Sequence, residues 1–245
     1  MMTPVPMYWP VSNNCGDLIG PYIARKIMAG RRVMYTEVSA DYPYYVIGGS
    51  VLNHVNEHAI VWGAGLATIT DGVNAKATIK AVRGPLTRAR VLASGRPCPK
   101  VYGDPGQLLP SFYTPPPNKK HKIGIVPHYV DQYRAYDRYR THNVIDVFQP
   151  IEAVIDEIAS CERIYSSSLH GIIVAHAYGV PATWVKISDS LGGDGTKFRD
   201  YFMSVGMDVP GAIDLRDNHA LPEAISDYVP NFDLTEYLKA CPLPT

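Results

Sequence analysis

Residues 161–185, CERIYSSSLHGIIVAHAYGVPATWV, decide the fold of this chain. Two apolar ends and a central helix-forming run, separated by SSS and GVP, predict strand, turn, helix, turn and strand in that order. The serines 166–168 would precede the helix, where serine favours the N-cap and the first backbone N–H groups have no intrahelical partner. Because His170 lies at this positive helix end, the segment predicts a site for a phosphate or carboxylate.

Short apolar runs that end in glycine- or proline-containing turns recur along the rest of the chain. Such runs, alternating with helical segments, predict an α/β fold with parallel sheets covered on both faces. The predicted strands are residues 42–47, 59–62, 79–82, 101–102, 122–126 and 144–148, and the predicted helices are residues 86–92, 151–159, 196–205 and 234–240.

Three consecutive prolines interrupt this alternation in the segment TPPPNKK, residues 114–120. Such a run favours a stiff, extended connector. We therefore predict two Rossmann-like domains, residues 1–116 and 117–245, that face a cleft at the carboxyl ends of their strands. The last helix can pack back on the first domain. A surface loop within a single domain is the open alternative.

Composition excludes several classes of protein. Of the 245 residues, 46% are hydrophobic, and 23 basic residues balance 23 acidic ones, which disfavours broad nucleic-acid binding. The four cysteines form no C-x-x-C pair, so they indicate free thiols in a reducing compartment. The first residues resemble no signal peptide, and no window is apolar enough to span a membrane. We expect a cytoplasmic protein; a peripheral position at the inner membrane face stays open.

Residues 54–58, HVNEH, match the inverted zinc-protease pattern H-x-x-E-H. That chemistry needs both histidines on one face of a stable helix and a third ligand. The gap between the flanking apolar runs is too short for such a helix. We therefore predict a solvated loop and no metal site.

Six short motifs occur in an order that resembles the polysaccharide pyruvyl transferase family, and the resemblance extends from about residue 13 to residue 202. It implies a two-domain, glycosyltransferase-B-like fold. It also implies transfer of pyruvate from phosphoenolpyruvate (PEP) to two sugar hydroxyls as a cyclic ketal, with no cofactor beyond the donor. The motifs are NNCGDLIG at 13–20, IGGS at 47–50, WGAG at 62–65, VRGPLT at 82–87, YGDP at 102–105, and SSLHG at 167–171 with its following GVP turn.

The chain departs from this family in two ways. It is shorter than typical members, so the acceptor site of the first domain is expected to be reduced. Ser168 stands where some members carry an arginine that helps to hold PEP. Another cation must replace it, and the candidates are Arg163, Lys186 and Lys197.

Three residues are the candidates for catalysis. Arg83 follows a strand, and a guanidinium grips a phosphate or carboxylate with two hydrogen bonds; the alternative is a surface arginine, and either way Arg83→Ala should leave the fold intact. His170 can protonate the PEP methylene carbon or anchor its phosphate, unless it is a neutral core histidine. Asp17 can accept a proton from a sugar hydroxyl, or simply act as a carboxylate at a helix start.

The remaining predictions concern binding and packing. The first domain would serve the acceptor and contribute Arg83, and the second would bind PEP. His176 should pack in the core, Asp104 should form an Asx turn, and Tyr129, Tyr133 and Tyr136 are predicted as a packed stripe rather than a sugar groove. His128, with Asp131, is a second choice for acid–base work. The binding candidates are Asn13, Asn14, Gly16, Gly48, Gly49, His128, Ser167, Ser168, Leu169 and Gly171.

Two other functions remain open at this point. A nucleotide-sugar-dependent glycosyltransferase would share the architecture, although the chain has neither a G-x-G-x-x-G nor a P-loop motif. A sugar-binding or scaffold protein without chemistry is the third reading. The acceptor sugar, its linkage to lipid and any homo-oligomer are not predicted by the sequence.

Overall fold

Two parallel β-sheets of five strands each form the frame of the molecule. They are seen in a computed structural model, which describes residues 3–73, 76–217, 220–222 and 227–244. The strands of the first sheet are β1 (Val5–Tyr8), β2 (Val33–Tyr35), β3 (Tyr44–Ile47), β4 (Ala59–Trp62) and β5 (Thr78–Ala81). Those of the second are β6 (His121–Val126), β7 (Asn143–Val144), β8 (Cys161–Ser166), β9 (Ala182–Lys186) and β10 (Ile213–Asp214).

Both sheets have the same strand order. The first is β2-β1-β3-β4-β5 and the second, taken from its other edge, is β7-β6-β8-β9-β10. In each, the order reverses between the first and third strands, namely β1 and β3, and β6 and β8. Ligands of open parallel sheets bind outside the carboxyl ends of the strands at this reversal. The topology therefore indicates ligand binding at the carboxyl ends of these four strands.

Helices cover the sheets and connect the strands. The helix predicted within 161–185 is confirmed: it follows β8, ends at Ala177 and is followed by β9. Two short 3-10 helices, Pro105–Ser111 and Tyr129–Asp131, lie between larger elements. The α-helices are α1 (Cys15–Ile27), α2 (Pro85–Ala93), α3 (Gln132–Arg138), α4 (Ile151–Ala159), α5 (Leu169–Ala177), α6 (Thr196–Ser204) and α7 (Thr235–Lys239).

The core is continuous between the two sheets. One apolar cluster contains Met7 and Trp62 of the first sheet together with Val126 and Ile164 of the second. Tyr237 of α7 stacks on Trp62 with ring centres 4.3 Å apart. The Trp62 indole N–H donates a hydrogen bond to the backbone carbonyl of Tyr237. Both ends of the chain therefore contribute to the packing around the first sheet.

A second connection joins the halves through Asp200 of α6. Its carboxylate accepts from the backbone N–H groups of Leu86 and Thr87 and from the Thr87 hydroxyl, so it caps the start of α2. Gly84 permits this approach, because a β-carbon there would lie 2.6 Å from Oδ1 of Asp200. The helix that follows β9 is thereby fixed to the first half of the molecule.

The other sequence predictions had mixed outcomes. Strands β4 and β6 and helix α4 are confirmed almost to the residue. The strand expected at 144–148 is wrong beyond β7, and residues 101–102 form only an isolated bridge from Tyr102 to Val82. Residues 114–120 form no regular element between the two sheets; the domain boundary stays a prediction. Within the described ranges, every helix is too short or too polar to cross a bilayer.

Two local predictions are confirmed. Residues 54–58 form turns rather than a helix, as expected for a loop. His176 is buried in the core and its Nδ1 lies 3.0 Å from the Tyr201 hydroxyl. Burial lowers the pKa of His176 to about 4, so this imidazole is neutral at physiological pH.

Candidate functional site

A cavity of about 320 Å³ lies where the carboxyl ends of the two sheets meet. Most of its lining residues follow β1, β3, β6 and β8, the four strands at which the sheet orders reverse. The cavity is therefore where the topology predicts a ligand. Its lining residues are Pro10, Ser12, Asn14, Cys15, Asp17, Ser50, Val51, Ala67, His128, Tyr129, Val147, Ser168, Leu169, His170 and Lys197.

The start of helix α1 forms one wall. Asn14 caps the helix, since its Oδ1 accepts from the backbone N–H of Asp17 at 3.1 Å. Its side-chain amide donates to Oδ2 of Asp17 at 2.8 Å, and the Ser12 hydroxyl donates to the same oxygen. These bonds hold the Asp17 carboxylate at the cavity and leave its Oδ1 without a hydrogen-bond partner among these neighbours.

The start of helix α5 forms the facing wall. Ser166 fixes the turn, because its hydroxyl accepts from the backbone N–H of Ser168 at 3.0 Å. Ser168 occupies the N-cap, yet its own side chain makes no capping bond. Ser168, Leu169 and His170 all line the cavity. The positive ends of α1 and α5 therefore converge on one volume, an arrangement suited to an anion.

His170 is held between the two halves. Gly16 of α1 lies directly against its ring, so that a β-carbon there would be 2.9 Å from Cγ. On the other side, Oδ2 of the buried Asp104 lies 3.9 Å from Nε2 of His170, an ion pair whenever the imidazole is protonated. That oxygen has no hydrogen-bond partner in the described structure, whereas Oδ1 accepts from the backbone N–H of Gly106. The Asx turn predicted at Asp104 is confirmed, and its second oxygen faces His170.

Lys197 is the cation of the cavity. Burial and the nearby Arg83 lower its pKa to about 8, an effect that the Asp17 carboxylate opposes. Among the described residues its ammonium has no ion-pair partner and lies 5.4 Å from the centre of the Phe198 ring. The lining thus combines one lysine and two histidines with a single carboxylate, Asp17.

His128 is uncharged. Burial, Lys197 and His170 together lower its pKa to about 3. Its backbone N–H donates to the Ser167 hydroxyl at 2.9 Å, and its Nδ1 lies 3.5 Å from the backbone nitrogen of Val130. A neutral imidazole can donate one hydrogen bond to a ligand but does not supply positive charge.

The comparison with known protein families decides the relationship of this chain. The model of the polysaccharide pyruvyl transferase family matches residues 31–189, more than half of the sequence. The chain belongs to this family. The matched segment contains Arg83, His128 and His170, whereas α1 and α6 lie outside it.

Two curated relatives cover most of the chain. Over 213 residues it is 31% identical to the uncharacterized protein L143 of Acanthamoeba polyphaga mimivirus, which corresponds to 82% of this chain and 74% of L143. Over 219 residues it is 30% identical to the succinoglycan biosynthesis protein ExoV of Rhizobium meliloti (strain 1021), which corresponds to 82% of this chain and 65% of ExoV. No solved structure is a significant match. The predicted family, and with it the prediction of an enzyme of the pyruvyl transferase class, is confirmed.

Arg83, the first candidate of the pyruvyl transferase motifs, does not line the cavity. Its side chain is only 1% exposed. One terminal nitrogen donates to the Ser50 hydroxyl at 2.8 Å and the other to the Leu66 carbonyl at 2.6 Å, while Nε lies 3.3 Å from Oδ2 of Asp200. The structure thus places this arginine behind Ser50, which does line the cavity. The alternative of a surface arginine is wrong.

The other predicted site residues fall into three groups. Asn14, Asp17, His128, Ser168, Leu169 and His170 line the cavity. Ser167 lines a neighbouring cavity of about 270 Å³, which shares Ala67 and Lys197 with the first and also contains the buried Asp131. Asn13, Gly16, Gly48, Gly49 and Gly171 line neither of them, although Gly16, Gly48 and Gly49 surround a small recess behind His170.

Ser12, Ser50 and Tyr129 are polar lining residues that the sequence did not indicate as site residues. Ser12 and Ser50 follow strands of the first sheet, and a serine after a strand is too common to be informative. Tyr129 belongs to the tyrosines predicted to pack as a stripe. That prediction is wrong, since Tyr133 is 89% exposed and Tyr129 and Tyr136 are exposed as well.

Proposed function

We propose that this protein transfers pyruvate from PEP to two hydroxyls of a saccharide and forms a cyclic ketal during synthesis of an exopolysaccharide or cell-surface glycan. The observation that carries the proposal is the convergence of two helix N-termini, Lys197 and His170 on one cavity. Family membership supplies the reaction class. We propose with it a glycosyltransferase-B-like pair of domains, a cytoplasmic location and, for a lipid-linked acceptor, a position at the inner membrane face.

Lys197 is our choice for the cation that replaces the arginine missing at Ser168. The two other candidates are already paired: Arg163 with Asp227 at 3.3 Å, and Lys186 with Asp189 at 2.9 Å. Lys197 is unpaired in the described structure and lines the cavity. PEP carries a phosphate and a carboxylate, so one anionic group would meet Lys197 and the other the N–H groups at the start of α5.

His170 would act as the general acid. Protonation of the PEP methylene carbon by the imidazolium leaves a cation at C2, which a first sugar hydroxyl attacks. The C2–O bond to phosphate then breaks, and the second hydroxyl closes the ring. One hydroxyl proton restores the imidazolium and the other leaves with the phosphate, so that protons balance. Asp104 would orient His170 throughout.

Asp17 would accept the proton of the first attacking hydroxyl and pass it to the departing phosphate, while the proton of the second hydroxyl restores the imidazolium. Its Oδ2 is occupied by Asn14 and Ser12, which leaves Oδ1 for the acceptor. Asn14 would thus act by holding Asp17 rather than by contacting sugar. Asp17 could instead only stabilise the start of α1, and it would occupy the same position in that role. Kinetic measurement on an Asp17 variant distinguishes this role from catalysis.

The test is incubation with PEP and a panel of bacterial glycans, with mass spectrometry to detect an added pyruvate ketal and a phosphate assay for turnover. We expect ketal formation by the wild type and a loss of ~10²–10⁴-fold in kcat for His170→Ala, the range for a lost general acid. Lys197→Ala should raise the PEP concentration needed for half-maximal turnover. His54→Ala and Lys239→Ala, both exposed, are the matched controls.

The nucleotide-sugar alternative is tested by a binding assay alongside the ketal assay. Thermal shift with PEP and, separately, with nucleotide sugars should give stabilisation by PEP alone. Stabilisation by a nucleotide sugar, or glycosyl transfer without PEP, would overturn the proposed function.

A further inference from the structure

Four exposed aromatic side chains form a patch beside the cavity mouth; we call Tyr129, Tyr133, Tyr136 and Phe148 the aromatic surface. Their exposed fractions are 39%, 89%, 42% and 48%. The buried residues of α3 are Gln132 and Ala135, whereas Tyr133 is almost fully exposed and Tyr136 is partly exposed beside Gln132. Clustered exposed apolar groups of this kind mark interaction sites.

The aromatic surface is continuous with the cavity. Tyr129 lines the cavity, and its ring centre lies 6.5 Å from that of Phe148 in an edge-to-face arrangement. Tyr136 lies on the same side of α3 as Tyr133, because residues three apart on an α-helix are neighbours on its surface. Tyr133 is four residues beyond Tyr129 and extends the patch outwards by ~6 Å at the rise of an α-helix.

We propose that the aromatic surface binds the sugar residues of the acceptor chain that adjoin the reacting sugar. The proposal rests on the proposed function, which requires that a saccharide enter this cavity. A tyrosine ring offers a flat apolar face to the C–H side of a sugar and a hydroxyl for hydrogen bonding. It also loses little conformational entropy on binding, since it has only two side-chain torsions.

The charges around the aromatic surface agree with a neutral or weakly charged occupant. Arg134 and Asp137 of α3 are both exposed, so a positive and a negative side chain lie within one helix turn of each other. The anion-binding groups, Lys197 and the start of α5, lie inside the cavity instead. Donor and acceptor would thus be recognised by different chemistry: charge within the cavity and aromatic stacking at its mouth.

The test measures glycan binding without PEP, so that it does not depend on turnover. Wild-type protein is applied to an array of exopolysaccharide and capsular fragments of increasing length, together with Tyr133→Ala, Tyr136→Ala and the double variant. We expect the wild type to retain longer fragments and the double variant to lose at least ~10-fold in affinity for them. Tyr133→Phe should keep most binding, and Tyr42→Ala, which removes an exposed tyrosine elsewhere, should keep all of it.

Kinetics give the second readout wherever a ketal-forming acceptor is found. The double variant should raise KM for the longer acceptor ~10-fold and leave KM for PEP and turnover of a disaccharide unchanged, since remote contacts act only on substrates that reach them. Absence of ketal formation by the wild type would refute the proposed function, while the array still tests the surface.

Three outcomes would overturn the inference: no fragment retained by the wild type, equal retention by the double variant, or a dimer that becomes monomeric in the double variant with unchanged glycan binding. The last would identify the aromatic surface as a contact between copies of this chain. Light scattering of each variant separates that case from the others.

Discussion

Gly16 and His170 contact one another across the two halves of the molecule, and only a glycine fits at position 16. A β-carbon there would lie 2.9 Å from Cγ of the imidazole and closer still to Nδ1. The first turn of α1 therefore sets the position of the ring that α5 presents to the cavity. This explains the glycine of the NNCGD motif by its packing against the His170 ring.

Gly16→Ala should abolish most activity without unfolding the protein. Alanine is the better helix former, so the backbone of α1 is not weakened, but the imidazole must move. A displacement near 1 Å costs ~10²-fold in rate. Steady-state kinetics and thermal unfolding are the measurements, with Gly211→Ala as the control, because a β-carbon at Gly211 meets open space. Unchanged turnover in Gly16→Ala would contradict this packing role.

Asp104→Asn should reduce kcat by ~10–100-fold and leave PEP affinity nearly unchanged. The amide retains an oxygen that accepts from Gly106 N–H, so the Asx turn survives. The carboxylate oxygen that faces His170 is lost, and with it the orientation of the ring. Kinetics give kcat, and thermal shift with PEP gives affinity. A loss of affinity at constant kcat would indicate that Asp104 acts on binding instead.

Arg83→Ala should destabilise the fold. The sequence predicts an intact fold for this variant, but removal of one partner of a buried ion pair leaves an uncompensated charge and costs ~3–5 kcal/mol. For a chain of this size we expect Tm to fall by at least ~6 °C. Arg140→Ala, which breaks an exposed pair with Asp137, should change the free energy of unfolding by less than ~1 kcal/mol. Equal Tm values for the two variants would exclude a structural role for Arg83.

The value of kcat/KM for PEP should fall as pH rises through about 8. Below that pH the Lys197 ammonium is charged and can hold an anion, and above it the charge is lost. The ratio kcat/KM reports the titration of the free enzyme. Arg83, Asp17 and His128 are the other charged or titratable groups that influence this lysine or are influenced by it. Lys197→Arg should move the fall in kcat/KM to higher pH. If the pH profile of this variant matches that of the wild type, Lys197 does not bind PEP.

The parts of the fold that depend on local pattern were predictable. Residues 161–185 combine two apolar strands, a serine turn and a GVP stop, and each signal acts within a few residues. Strand β1 was missed because Pro6 lies within it, although β1 occupies a central position in its sheet. A proline in a short apolar run normally argues against a central strand, so pattern alone points the wrong way.

The site was predictable at its two helix starts, and His128 and Lys197 were also named as candidates, but the partners of its buried groups were not predictable. His170, Ser168 and Asp17 follow from motifs at turns. The burial of Arg83 depends on Ser50 and Asp200, which are distant in sequence, and no local signal reports them. The exposure of Tyr133 likewise depends on which face of α3 meets the sheet, and tyrosines at helical spacing fit either face.

The contact of Asp200 with both Arg83 and the start of α2 has a consequence for how substrates enter. Enzymes of two lobes commonly close around their ligands by rotation about a hinge. Here that rotation would pull a carboxylate away from a guanidinium in a water-free environment and uncap α2. Separation of the two halves would therefore cost free energy, and we expect the proposed donor to enter a cavity whose dimensions are already set. Small-angle scattering should give the same radius of gyration with and without the donor.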